Sequence, residues 1–122
     1  MKFLLVLILP FFVGSTESSS SLELTNLQVK VTQTSQIITW KTTSEHNCQG
    51  FEVQHSLNGE DWEELSYLPT IGSSESGGTY EVYYQTKIAG NHFYRLKQLS
   101  QTGAITFSET LKIKAKKRNH NN

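Results

Sequence analysis

Ser44–Trp62 reads SEHNCQGFEVQHSLNGEDW, and the way this run divides decides the fold. As a list of side chains it resembles a metal or thiol centre, with His46, Cys48, His55 and several carboxylates close together. As a pattern it is a strand. Phe51 and Val53 alternate with Glu52 and Gln54, the period-2 signature of a half-buried β-strand. Asn58-Gly59 follows, and both residues tolerate the positive φ of a type I′ turn, so a hairpin is expected there. WEELSYL, with an irregularity at Glu63-Glu64, is the returning strand.

The strand reading also separates the ligand candidates. A strand rises about 3.3 Å per residue, so Gly50 to His55 spans roughly 17 Å. His46 and Cys48 lie in the loop before the strand and His55 near its far end, too far apart to share one ion. His92, at the start of a later strand, can approach one end of this one. That makes two or three ligands at best, against the three or four converging groups that zinc takes. A nucleophilic Cys48–His46 pair needs a lowered thiol pKa, a placed base and an oxyanion hole. Nothing in the run supplies the glycine-rich or helix-terminal donors. Asn47 fits a tight turn through hydrogen bonds to its own backbone. Glu45 is expected to pair across the sheet with Arg95 or Lys97, worth about 0.5 kcal/mol if exposed.

Outward from this run the pattern stays β. LELTNLQVKVT changes phase at Asn26, from Leu22 and Leu24 to Leu27, Val29 and Val31. IITWKT sets Ile38, Trp40 and Thr42 against Ile37, Thr39 and Lys41. TYEVYY places Tyr80, Val82 and Tyr84 on one face, and HFYRLKQL gives Tyr94 and Leu96. AITFSETLKIKA gives Ile105, Phe107, Leu111 and Ile113 as inward residues of a last strand. Thr102-Gly103 marks a turn before it, and GSSESGG, Gly72–Gly78, is a connection without apolar anchors. About seven short antiparallel strands with turn signals between them predict a two-sheet sandwich, with a small closed barrel as the alternative.

Together, ITWKTTSEHNCQGFEVQHSLNGEDWEELSYL, TYEVYY and FYRLKQLSQTGAITFSETLKI resemble a fibronectin-type-III-like domain of Bacteroidota, of the kind that precedes type IX secretion C-terminal sorting domains. The resemblance covers about Leu22 to Ala115. It implies an immunoglobulin/fibronectin-III-like sandwich with Trp40 in the core of the second strand. Tyr94 and Leu96 become the inward pair of the sixth strand and Ser108 the serine of the last. Departures lie at Gln54-His55, where the family has Glu-Arg, at Tyr84, where it has an aspartate, and at the final turn, Ser100–Gly103. LKIKAKKRNHNN leaves no room for a sorting domain, so the expectation is the module alone, reaching the periplasm or surface without type IX sorting of its own. The residues expected to hold the fold are Trp40, Asn47, Phe51, Val53, Asn58, Gly59, Tyr94, Leu96 and Gly103.

The remaining chain fits export. Of 122 residues 36% are hydrophobic and 18% charged, with 11 basic against 11 acidic side chains. That balance argues against a nucleic-acid binder, which carries a basic excess. Lys2 and the apolar run Phe3–Val13 are expected to form a signal peptide over residues 1–15, with a hydrophobic anchor left in place as the alternative. The run is shorter than the ~20 residues of a spanning helix, and Val13-Gly14-Ser15 suits cleavage after Ser15. Residues 16–21 form a disordered leader, 22–115 the domain and 116–122 a basic, polar tail; the mature form has no transmembrane span. Cys48 is the sole cysteine, so no internal disulfide is possible. Its own role stays open as a buried small residue, a free thiol or an intermolecular link.

Two surface features bear on partners. Lys112, Lys114, Lys116, Lys117 and Arg118 concentrate charge at the end of the chain; a solvated terminus is the favoured reading, and weak contact with anionic lipid or lipopolysaccharide head groups is the alternative. Trp62, Tyr67, Tyr83 and Phe93 include rings that alternation sends outward, and a contiguous patch of them would mark a protein or glycan surface. The expected function is a non-enzymatic secreted or cell-envelope interaction module, without cofactor or metal. The competing readings are a structural spacer and a small thiol- or metal-dependent hydrolase.

Overall fold

The computed structural model describes residues 24–71 and 76–117. The expected signal peptide and leader, Leu22, Gly72–Glu75 and Arg118 lie outside the described residues. Eight strands follow one another: β1 (Leu24–Val31), β2 (Ser35–Thr42), β3 (Cys48–Ser56), β4 (Glu63–Pro69), β5 (Thr79–Gln85), β6 (Gly90–Ser100), β7 (Ile105–Phe107) and β8 (Leu111–Ala115). They form two antiparallel sheets, β1-β2-β5 and β4-β3-β6 with β7 and β8 both on the outer edge of β6. The chain is a two-sheet antiparallel β-sandwich.

The core is what alternation brings inward. Ile38 and Trp40 of β2 and Tyr80 and Val82 of β5 meet Cys48, Phe51 and Val53 of β3 and Tyr94 and Leu96 of β6. Trp40 stacks parallel on Tyr80 at 5.2 Å between ring centres, and Phe51 meets both edge-on. Such ring pairs add about 0.5–1.5 kcal/mol beyond area burial. Among the described residues the Trp40 indole nitrogen is the one buried side-chain polar atom without a partner.

Irregular positions have local causes. The phase change at Asn26 is a bulge: Asn26 takes φ +56 and the β1–β2 register shifts between Thr25 and Gln28. Asn47 takes φ +54 just before β3, in the left-handed region that asparagine tolerates better than most residues. The irregularity at Glu63-Glu64 is also present, as a register shift in β3–β4 that leaves Leu65 between the partners of Val53 and Gln54.

Three expectations need correction. The Asn58-Gly59 hairpin is not a type I′ turn, because Gly59 has φ +80 while Asn58 does not adopt a positive φ. A six-residue loop over 57–62 joins β3 to β4 instead. The Asn58 side chain organises it, its Oδ1 accepting the backbone N–H of Glu60 and of Asp61 at 2.8 Å each. Ser56 Oγ takes the N–H of Gly59, so side chains replace the tight-turn geometry. The last strand divides in two, so the about seven strands expected number eight among the described residues. At the break Ser108 Oγ accepts from Leu96 N and its own N–H donates to Leu96 O, so a hydroxyl stands in for the ladder. Ile105 and Phe107 are about half exposed rather than inward, because β7 pairs them with Leu99 and Lys97 on the outward phase of β6.

Candidate functional site

At one end of the sandwich, Glu45 is buried and is not paired with Arg95 or Lys97. Its Oε2 accepts a hydrogen bond from Thr42 Oγ1 at 2.7 Å and another from the Tyr80 hydroxyl. Thr42 Oγ1 in turn accepts from Gly78 N at 2.8 Å, and the Tyr80 oxygen from Ile71 N at 2.9 Å. One carboxylate thus fastens the β2–β3 loop to both ends of the β4–β5 connection. Burial, then the bond to Glu45, pushes the Tyr80 phenol up to about 12. The salt-bridge expectation failed because Arg95 and Lys97 point to the opposite face, where Lys97 meets Glu52 at 3.7 Å.

Cys48 is the first residue of β3 and not part of the loop; its side chain sits in the core, with Sγ 3.9 Å from Gly50 O. Burial and then the nearby Glu45 charge push its thiol up to about 11. The reactive species of cysteine is the thiolate, which this environment suppresses. His46 is exposed in the loop.

At the other end, β3 and β6 bring two histidines together. His55 Nε2 lies 2.8 Å from His92 Nδ1, His55 Nδ1 lies 3.0 Å from Glu63 Oε2, and His92 Nε2 lies 2.8 Å from the carbonyl oxygen of Ile88. Both rings are buried, and the His55 ring also packs against Tyr84 and Tyr94. The Tyr94 hydroxyl donates to Gln36 Oε1 beside them. The row has acceptors at both ends and three contacts between. Two neutral imidazoles bring two N–H groups, so pairing all three contacts takes a third proton, with Glu63 as counter-ion. Burial opposes it and shifts His55 toward the neutral form, against the pull of the Glu63 carboxylate.

Alternation already sent both histidines inward, since His55 continues the phase of Phe51 and Val53, and His92 that of Tyr94 and Leu96. What it lacked was the β3–β6 register, which sets His55 opposite Tyr94. His46 and Cys48 lie at the opposite end of β3, as the strand length required. No three His, Cys, Asp or Glu side chains among the described residues converge as a metal site would require.

The outward face of the larger sheet carries a third arrangement. The Arg95 guanidinium lies 4.2 Å from the Trp62 ring centre and 4.1 Å from that of Phe107. Its Nε donates to Gln54 Oε1 at 2.7 Å. Tyr67 on β4 and Ile105 on β7 are exposed on the same face, while Phe93 lies under Gly59 and 5.9 Å from Lys112 Nζ. The sequence showed some of these rings as outward but not that they gather around one cation. Among the described residues no helix is long and apolar enough to cross a membrane. Compared with models of known families, with curated proteins and with solved structures, the chain matches none.

Proposed function

We propose that the chain is a non-enzymatic interaction module of the cell envelope, a fibronectin-type-III-like sandwich exported on its apolar N-terminus. The observation that carries this reading is the outward face where Trp62 and Phe107 enclose Arg95. Aromatic and arginine side chains dominate binding hot spots, the aromatic ones because they offer large contact area at little cost in side-chain freedom. Here the cation is already fixed by two rings and by Gln54, so little ordering remains when a protein or a glycan settles on the face. Trp40, Tyr94 and Leu96 are fully buried, in keeping with the family resemblance. A non-catalytic role is supported by the polar groups of the opening stretch: the thiol is suppressed, and every imidazole nitrogen of the histidine pair has an internal contact.

The test is capture from a cell-envelope fraction on the immobilised chain. The wild type and a Tyr83→Ser control, altered at an exposed ring on the smaller sheet, should retain the same partner. A Trp62→Ser/Phe107→Ser variant with an unchanged circular dichroism spectrum should lose it. Retention of nothing by the wild type, or equal loss from the control, would sink the reading.

A further inference from the structure

At the histidine end of the sandwich, the β1–β2 turn, the β5–β6 connection and the end of β8 surround a cleft of about 730 Å3. Its volume falls within the range of small-ligand sites. Among the described residues Lys87, Lys114, Lys116 and Lys117 line it, and no carboxylate does. The whole chain balances 11 basic against 11 acidic residues, so four ammonium groups without a counter-charge are a local concentration and not a general excess.

A second observation comes from the wall beneath them. Gln36 lines the same cleft although it is only 2% exposed. Its carboxamide oxygen accepts from the Tyr94 hydroxyl, which holds the amide at the cleft wall. Besides that oxygen a carboxamide carries two N–H donors, which an acceptor seated in the cleft can use. Val31 and Ile88, about half exposed, supply an apolar rim.

We propose that this cleft binds the phosphate group of a phosphate-bearing ligand. The lysine ammonium is a compact point charge without the planar fork by which arginine grips carboxylates, so its selectivity follows charge density. A phosphate monoester or diphosphate carries two or more charges on a small group of acceptor oxygens, and suits four ammoniums and an amide N–H. Val31 and Ile88 meet the apolar part of the same ligand. The source is either a lipid head group or a soluble phosphate compound. None of Trp62, Arg95 and Phe107 lines the cleft, and the proposal stands independently of that face.

The experiment is calorimetric titration of the full chain with inorganic pyrophosphate, alongside co-sedimentation with phosphatidic acid and phosphatidylcholine vesicles. Binding should saturate and weaken steeply with added salt. Lys87→Gln/Lys114→Gln should weaken it roughly thirtyfold, about fivefold for each charge. Lys30→Gln/Lys41→Gln removes the same charge from outside the cleft and should leave it unchanged. Gln36→Glu keeps an oxygen for Tyr94, so the fold is retained while a like charge repels the anion, and binding should be lost. Pyrophosphate binding without vesicle binding identifies a soluble source, and binding to phosphatidic acid vesicles alone a lipid head group. The proposal is overturned if neither probe binds, if the control pair weakens binding as much as the cleft pair, or if Gln36→Glu binds as the wild type does.

Discussion

Glu45→Ala tests the reading of the opening stretch most directly. The Glu45 carboxylate accepts from Thr42 and Tyr80, both buried, and these hydroxyls in turn accept the N–H groups of Gly78 and Ile71. Truncation leaves two buried hydroxyl donors without their acceptor, at about 1–3 kcal/mol for each buried group left unsatisfied. Release from the desolvation of the carboxylate itself offsets part of this loss. The expected net cost is about 2–4 kcal/mol, a large share of the ~5–15 kcal/mol that a domain has. Urea denaturation followed by tryptophan fluorescence measures it as a lower midpoint at unchanged slope. Tyr80→Phe keeps the ring on Trp40 and should cost about 1–2 kcal/mol. Because both changes remove the same contact, the double variant should be less destabilised than the two singles added together. In Glu45→Gln the Tyr80 phenol should titrate below its value of about 12 in the parent, since the carboxylate helps hold it there. A Glu45→Ala midpoint within about 0.5 kcal/mol of the parent, the range of ordinary surface changes, would refute the reasoning, as would strict additivity with Tyr80→Phe.

Other outcomes follow from the same geometry. His55 is held toward its neutral form relative to an ordinary value of 6.5, first by burial. The unfolded chain therefore takes up the proton that the folded chain resists. This contribution to stability is complete above about pH 6.5 and is lost as pH falls through the folded value. Urea midpoints between pH 7.5 and 5 should show the decline, and His55→Asn should flatten it; a midpoint that rises toward pH 5 contradicts the burial argument. Arg95→Lys should cost about 1–2 kcal/mol in thermal or urea unfolding, since lysine cannot lie flat between two rings while bonding Gln54. Gly77→Ala places a Cβ 2.0 Å from Thr42 O at φ +68 and should cost more than about 2 kcal/mol. Gly103→Ala, at φ +96 with nothing within 4 Å, should cost only the conformational ~1 kcal/mol. Paired melts of the two alanine variants check that order.

The inward phase of β2, β3, β5 and β6 was legible because side-chain direction in a strand depends on parity alone. Trp40, Phe51, Val53, Tyr94 and Leu96 are buried where parity sent them. Parity carries no register, however, and register is what joins His55 to His92 and sets Phe107 opposite Lys97. Glu45 was misread for a different reason. A carboxylate in a polar loop has no periodic signature, and its partners, Thr42 and Tyr80, are 3 and 35 residues away in sequence. At Asn58-Gly59 the dipeptide signalled a turn, but Ser56 and Asn58 side-chain bonds stabilise a longer loop than the backbone preference alone would choose.

The two histidines that first suggested chemistry bear on it in a specific way. A general base needs a ring nitrogen open to its substrate within hydrogen-bond reach. In this pair the four nitrogens face Glu63, each other and Ile88. Opening any one of them breaks a contact inside the fold, so a proton taken up here is felt as a change in structure before it can reach a substrate. The structural effect has a definite place to appear. Ile88, whose carbonyl ends the row, also lines the lysine cleft, as does Gln36, whose oxygen holds Tyr94. A neutral pair leaves one of the three contacts without a proton, and a charged pair fills them all. The wall of the cleft is thus joined to a part of the core whose hydrogen bonds depend on a proton, and the change in anion affinity between pH 7.5 and pH 6 should be of a different size in the parent than in His92→Gln, where only the anion's own titration remains.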